Sequence, residues 1–179
     1  AAPSPRSIVA KAFANLKREE IIYQRKYADG VPEPEDPGYA DYVAEMDGFM
    51  RLLAKDMVLM AANESAVEID EPLEKAEFLA DVLRHAIELD EPTAAEIGAV
   101  LSQRLAEHGA LIDEGKNRPE DPKLIPGWEA ENERLFGSLW DEVHALLSPE
   151  QQQKFQFGFP RQSIVNRSIS IGFPGGYSF

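Results

Sequence analysis

Proline and glycine decide where this chain can run as helix. The ten residues Asp29-Gly30-Val31-Pro32-Glu33-Pro34-Glu35-Asp36-Pro37-Gly38 hold three prolines and two glycines. Each proline lacks a backbone donor and crowds the preceding turn, so no regular element crosses this stretch. A second break, Gly115 to Gly127, contains Pro119, Pro122 and Pro126. Three further prolines follow polar residues, in Asp70-Glu71-Pro72, Asp90-Glu91-Pro92 and Ser148-Pro149. In that position it opens helices rather than breaking them.

The segments between these marks have helical length and period. A first helix is expected from about Pro5 to Tyr27, with Val9, Phe13, Leu16, Tyr23 and Tyr27 on one stripe. A second, about Tyr39 to Asn63, buries Tyr42, Met46, Phe49, Met50, Leu53, Met57 and Met60. All four methionines lie there. Methionine suits core filling, an adaptable groove or soft copper(I), and core filling is the reading adopted. A third helix starts with Asp70 as N-cap and turns Leu73, Ala76, Leu79, Val82, Leu83, Ala86 and Ile87 inward. The fourth reaches about Glu114, with Thr93 and Glu96 as a capping box and Ile97, Leu101, Leu105, His108 and Ile112 on its stripe. The tight break between the third and fourth predicts an antiparallel pair. The fifth, 128–147, buries Trp128, Leu135, Phe136, Leu139, Val143 and Leu146. Both long linkers contain Pro-Glu-Asp-Pro, at 34–37 and 119–122, and each ends in glycine before an aromatic. That is the pattern of a twofold helix–linker–helix repeat.

Ser148-Pro149-Glu150-Gln151 is a helix start, with serine to cap, proline at the first helical position and glutamine to close a capping box. The short helix it opens reaches about Phe157. Beyond it, Val165, Ile169, Ile171 and Phe173 alternate with Asn166, Ser168, Ser170 and Gly172. A period of two predicts an extended segment with one apolar face. Such a segment must satisfy its backbone by docking, on its own body or on another chain.

Charge divides the chain the same way. Residues 1–30 carry six basic groups and three acids, residues 151–179 carry Lys154, Arg161 and Arg167 with no acid, and the middle is net −20. The acidic middle repels a nucleic acid backbone, and the basic ends have two acidic surfaces open to them, the chain's own middle or an acidic partner. No apolar run approaches the roughly 20 residues that span a bilayer. The absence of cysteine excludes disulfides, thiolate metal sites and cysteine nucleophiles. The opening Ala1-Ala2-Pro3-Ser4-Pro5 resembles a mature end left by cleavage at a small-residue site, so a periplasmic or secreted location is expected.

No catalytic constellation is legible. His85 with Asp81 and Glu88, and His144 with Asp141, have metal-pair spacing, but acids are so frequent that such neighbours arise by chance. The two Glu-x-x-His motifs of a di-iron bundle, the zinc-protease signature, the nucleophile elbow and phosphate loops are all missing. Asn63-Glu64-Ser65 and Asn166-Arg167-Ser168 match the glycosylation sequon, which matters only in a eukaryotic secretory setting. No catalytic, cofactor or metal residue is therefore assigned.

The run Val143-His144-Ala145-Leu146-Leu147-Ser148-Pro149-Glu150-Gln151-Gln152-Gln153-Lys154-Phe155 resembles the closing motif of the Spy/CpxP-like family. These are periplasmic helical proteins with Leu-Thr-x-x-Gln motifs, including chaperones and metal-stress sensors. The family's earlier motif copy has a counterpart in Leu89-Asp90-Glu91-Pro92-Thr93, which lacks the glutamine. The middle is acidic where the family's concave surface is basic.

The expectation is an all-α, antiparallel bundle of five main helices and one short one over residues 1–156, then an extended aromatic arm over 157–179. The function expected is a non-enzymatic exported protein that binds other proteins, as an accessory or assembly subunit. The expected contacts are Phe157, Phe159, Arg161, Ile169, Ile171, Phe173, Tyr177 and Phe179. A Spy/CpxP-like chaperone or metal-stress sensor is the alternative that the resemblance implies.

Overall fold

A computed structural model describes residues 2–63, 65, 69, 71–116, 127, 130, 131 and 133–165. The described residues are all-α, with no strand among them. The order is α1 (Pro5–Lys26), α2 (Tyr39–Ala62), α3 (Pro72–Ala86), α4 (Glu91–Lys116), a π-helical turn π1 (Glu133–Gly137), α5 (Ser138–Ala145), α6 (Pro149–Gly158) and α7 (Arg161–Val165).

Helix α1 is the centre of the fold and packs against α2, α3 and α6. Its side chains dictate this. The stripe of Val9, Phe13 and Leu16 is fully buried, but so are Ala10, Ala12, Ala14 and Ile21 on its other sides. The small alanines let neighbouring helices approach closely, and the helix is wrapped rather than laid on a surface. Ser4 caps it by accepting from the Ser7 N–H at 3.1 Å, and Pro5 takes the first helical position.

Helices α3 and α4 form the most extensive contact, as the tight break between them predicts. The break is a left-handed helix end at Glu88 (φ 58°), with the Leu89 N–H reaching back to the Arg84 carbonyl at 3.0 Å. This six-to-one bond and the buried Leu89 make it a Schellman-type stop. Non-glycine residues take this conformation at a cost, and Glu88 is held there by its side chain. Arg18 of α1 and Lys154 of α6 both pair with its carboxylate at 3.2 Å. Among the described residues, several basic groups of the first and last segments pair with acids of the middle. Arg6–Glu74, Lys26–Glu45 and Arg161–Asp141 repeat the pattern.

Several local expectations are corrected. Asp90, rather than Thr93, caps α4, accepting from the Thr93 N–H at 2.8 Å. Thr93, through its hydroxyl and its backbone N–H, holds the Asp90 carboxyl below its usual range. Glu71 stands at the cap of α3 without a side-chain bond, while Asp70 lies outside the described residues. Leu73 (59% exposed) and Met50 (48% exposed) face outward, because α3 and α2 each turn a narrower stripe inward than their periodicity allows. The expected fifth helix is α5 preceded by π1, and Trp128 and the Ile112 side chain lie outside the described residues. The arm is not extended throughout, since residues Arg161–Val165 form a helical turn.

Two glycines give opposite predictions. A Cβ on Gly158 would stand 2.8 Å from Ile21 Cδ1, a buried side chain of α1. Gly158→Ala is expected to lower stability by about 1–3 kcal/mol through overpacking. Gly48 lies in the interior of α2 with nothing within 4 Å of the added atom. Gly48→Ala is expected to raise stability by about 0.5–1 kcal/mol. Paired denaturant titrations check both signs.

Candidate protein-binding site

The expected contacts begin at the end of α6. Ser148 and Gln151 form a complete capping box, with the Gln151 N–H bonded to Ser148 Oγ at 3.3 Å and the Ser148 N–H to Gln151 Oε1 at 3.1 Å. Gln151 also donates to the Glu88 carbonyl at 3.3 Å, which ties the start of α6 to the α3–α4 turn. The direction of α6 is thereby set, and it delivers Phe155 and Phe159, four residues apart, to one side.

There the rings stack in a column. His144 lies on Trp140 at 4.8 Å and 16°, Trp140 on Phe155 at 5.2 Å, and Phe155 on Phe159 at 5.7 Å. Trp140 Nε1 donates to the Phe159 carbonyl at 2.7 Å, so a buried indole N–H closes the C-terminal turn of α6. The Phe159 ring meets Lys17 of α1, whose ammonium lies 5.3 Å from its centroid. Lys17 and Glu20 are buried together and paired at 3.0 Å. Burial pulls the Lys17 pKa down, and Glu20 opposes that by charge and hydrogen bond. The Glu20 carboxylate and the ring face above it offset part of the cost of burying the Lys17 ammonium.

Arg161 makes the next hold. It reaches Glu133 at 2.7 Å and Asp141 at 3.1 Å. Gly137, at the end of π1, leaves the room: a Cβ there would be 2.5 Å from Arg161 Nη2 and 2.8 Å from Glu133 Oε1. Ile164 and Val165 of α7 are buried, and α7 packs on π1.

The structure thus places the expected contacts in two groups. Phe159 (3% exposed) is a core residue, Phe157 is half-buried against the core, and Arg161 is engaged within the chain. Each of the three is held by the chain's own body. Ile169, Ile171, Phe173, Tyr177 and Phe179 lie outside the described residues. Sequence reasoning missed Trp140, His144, Lys17 and Glu20. The signal available was weak: Trp140 and His144 are four apart, as are Phe155 and Phe159. Nothing local marks Lys17 as buried.

Two other features complete the inventory. A cleft of about 490 Å³ lies between the N-terminus of α1, α3 and α4, walled by Arg6 and Arg84 together with Glu77, Asp81 and Glu91. Both arginines are already paired, with Glu74 and Glu91. Asp56 of α2 is buried (5% exposed), and its Oδ2 has no hydrogen-bond partner. Burial pushes its carboxyl above the usual range, against the pull of Lys55. Of the histidines, His85 pairs with Asp81 at 3.4 Å, and His108 packs edge-on to Phe136 at 4.9 Å. No group of three metal-ligating side chains occurs among the described residues, and no described helix is long and apolar enough to cross a membrane.

Comparison with protein-family models, with curated proteins and with solved structures finds no match to this chain.

Two predictions follow from the buried groups. Phe159→Ala removes the ring over Lys17 and the end of the stack, and is expected to cost about 3–5 kcal/mol. Denaturant titration, with tryptophan emission moving to longer wavelength, checks it. For Asp56 the sign runs against the ionised form. Its folded-state pKa lies above the unfolded value, so the penalty is absent below the ordinary carboxyl range and present in full above the folded pKa. Asp56→Asn is expected to raise Tm at pH 7, with the gain shrinking as the pH falls towards 4; melting curves across that range check it.

Proposed function

We propose that the protein is a non-enzymatic accessory or assembly subunit that binds another protein through the segment following Val165. The observation that carries this reading is the anchor. Phe159, Trp140, Lys17 and Arg161 tie the chain to the body up to Val165, directly before the 14 residues that carry the alternating apolar pattern. Anchoring of this kind lowers the ordering cost of docking, because the base of the segment is already immobile.

The chemistry of the departing segment supports the same reading. It is acid-free, it carries Arg167, and its apolar side chains alternate through Ile169, Ile171 and Phe173 before Tyr177 and Phe179. Alternation of this type suits addition to a sheet edge, and the aromatic residues suit pockets as anchors. In this reading Phe157, Phe159 and Arg161 set the segment's origin, and the five apolar residues beyond it make the contact.

The test uses the tagged full chain as bait in its native cells, beside Phe173→Asp and a chain ending at Val165. The full chain is expected to capture a defined partner that both variants lose. All three should melt within about 2 °C of one another, since the anchor is intact in each. Equal capture by all three, or a large loss of Tm in the shortened chain, would overturn the reading.

A further inference from the structure

Helix α2 carries two apolar stripes, and among the described residues only one is covered. Phe49, Leu53 and Met60 face inward, and α1 is the main neighbour of this helix. The second stripe is Val43, Met46, Met50, Ala54, Met57 and Ala61, with spacings of three and four residues. It lies about 90° around the helix from the first. Val43 (45% exposed) and Met50 (48% exposed) stand in solvent, Met46 and Met57 are half-buried, and Ala54 and Ala61 are exposed. The three- and four-residue steps average 3.6 from Val43 to Ala61, so the stripe keeps to one face of a straight helix and offers a seam for helix-to-helix packing.

The charges beside the seam identify the occupant. Asp47 and Arg51 lie on the same border of the stripe, paired to each other at 2.9 Å and both largely exposed. We infer that this face receives α2 of a second copy of the chain, antiparallel, about a twofold axis near Met50. In that arrangement the same border of each helix meets its equivalent, as an isologous interface requires. Met50 meets Met50 of the partner subunit, and Val43 lies across from the partner's Met57. Asp47 comes within about 3 Å, along the axis, of the level of the partner's Arg51. The intrahelical ion pair is exchanged for two equivalent pairs across the seam. A parallel pairing would bring opposite borders together and leave this complementarity unused. Methionine supplies flexible packing at the centre, and the alanines at 54 and 61 admit close approach.

The inference does not depend on the segment after Val165. Its test uses the full chain, which has no cysteine of its own. Met50→Cys is expected to form a disulfide-linked dimer under mild oxidation. Val43→Cys alone should not, but an equal mixture of Val43→Cys and Met57→Cys should. Leu59→Cys, on the far side of α2, is the control and should not form a disulfide-linked dimer. By sedimentation equilibrium the native chain should show a reversible dimer. Asp47→Arg should weaken it about tenfold or more, and Asp47→Arg with Arg51→Asp should restore it. Met50→Glu should leave a folded monomer by circular dichroism. A native chain that stays monomeric at all accessible concentrations overturns the inference. So does crosslinking of Leu59→Cys as readily as Met50→Cys, self-crosslinking of Val43→Cys, or a double charge swap that fails to recover the dimer.

Discussion

The burial of α1 on several sides at once is the constraint on which the rest of the structure depends. It is the one element in extensive contact with α2, α3 and α6, and so it joins parts of the chain far apart in sequence. Its buried apolar residues mix small and large side chains, Ala10, Ala12 and Ala14 beside Phe13 and Leu16. This wrapping forces two polar groups inside. Lys17 and Glu20 are buried because they occupy the face that α6 and Phe159 cover. A buried pair of this kind gives little net stability, but removing one partner leaves an uncompensated charge. The pair therefore restricts what can sit above it, and an aromatic face satisfies the restriction.

Electrostatics organises the same contacts at longer range. The basic groups of the first and last segments find acids of the middle: Arg6 with Glu74, Arg18 and Lys154 with Glu88, Lys26 with Glu45, and Arg161 with Asp141 and Glu133. Most are exposed, and each such pair is worth little by itself. Their common direction matters more than their strength, because it holds α1, α6 and α7 on the acidic body. Glu88 shows both scales together. Its left-handed backbone ends α3, its carboxylate takes two cations from different helices, and its carbonyl accepts from Gln151.

Much of the helical plan was legible because it is written in local chemistry. Proline and acidic or hydroxyl residues mark the starts of α1, α4 and α6, and the capping box at Ser148 and Gln151 forms as its residues demand. The errors fall where two local signals compete. Asp90 outranks Thr93 as the cap of α4 because it stands one residue before the proline-bearing first turn. Periodicity alone could not tell which apolar residues of α2 are covered, since Met46, Met50, Leu53 and Met57 lie on adjoining stripes of one helix. Only the position of α1 separates them. The anchor was half visible: Phe159 and Arg161 stand out in the sequence, but what holds them, Trp140 and Lys17 for the one and Glu133, Asp141 and the space over Gly137 for the other, has no common local pattern.

The sequence by itself determined the all-α class, the proline-set boundaries of the helices and the attraction of the basic ends to the acidic middle. Each of these is a property of neighbours along the chain or of summed charge. Tertiary structure decided the burial of Lys17 and Glu20, the ring column from His144 to Phe159, the seat of Arg161 over Gly137 and the outward second stripe of α2. Those depend on which helix faces reach one another across long separations in sequence, and no local period encodes that.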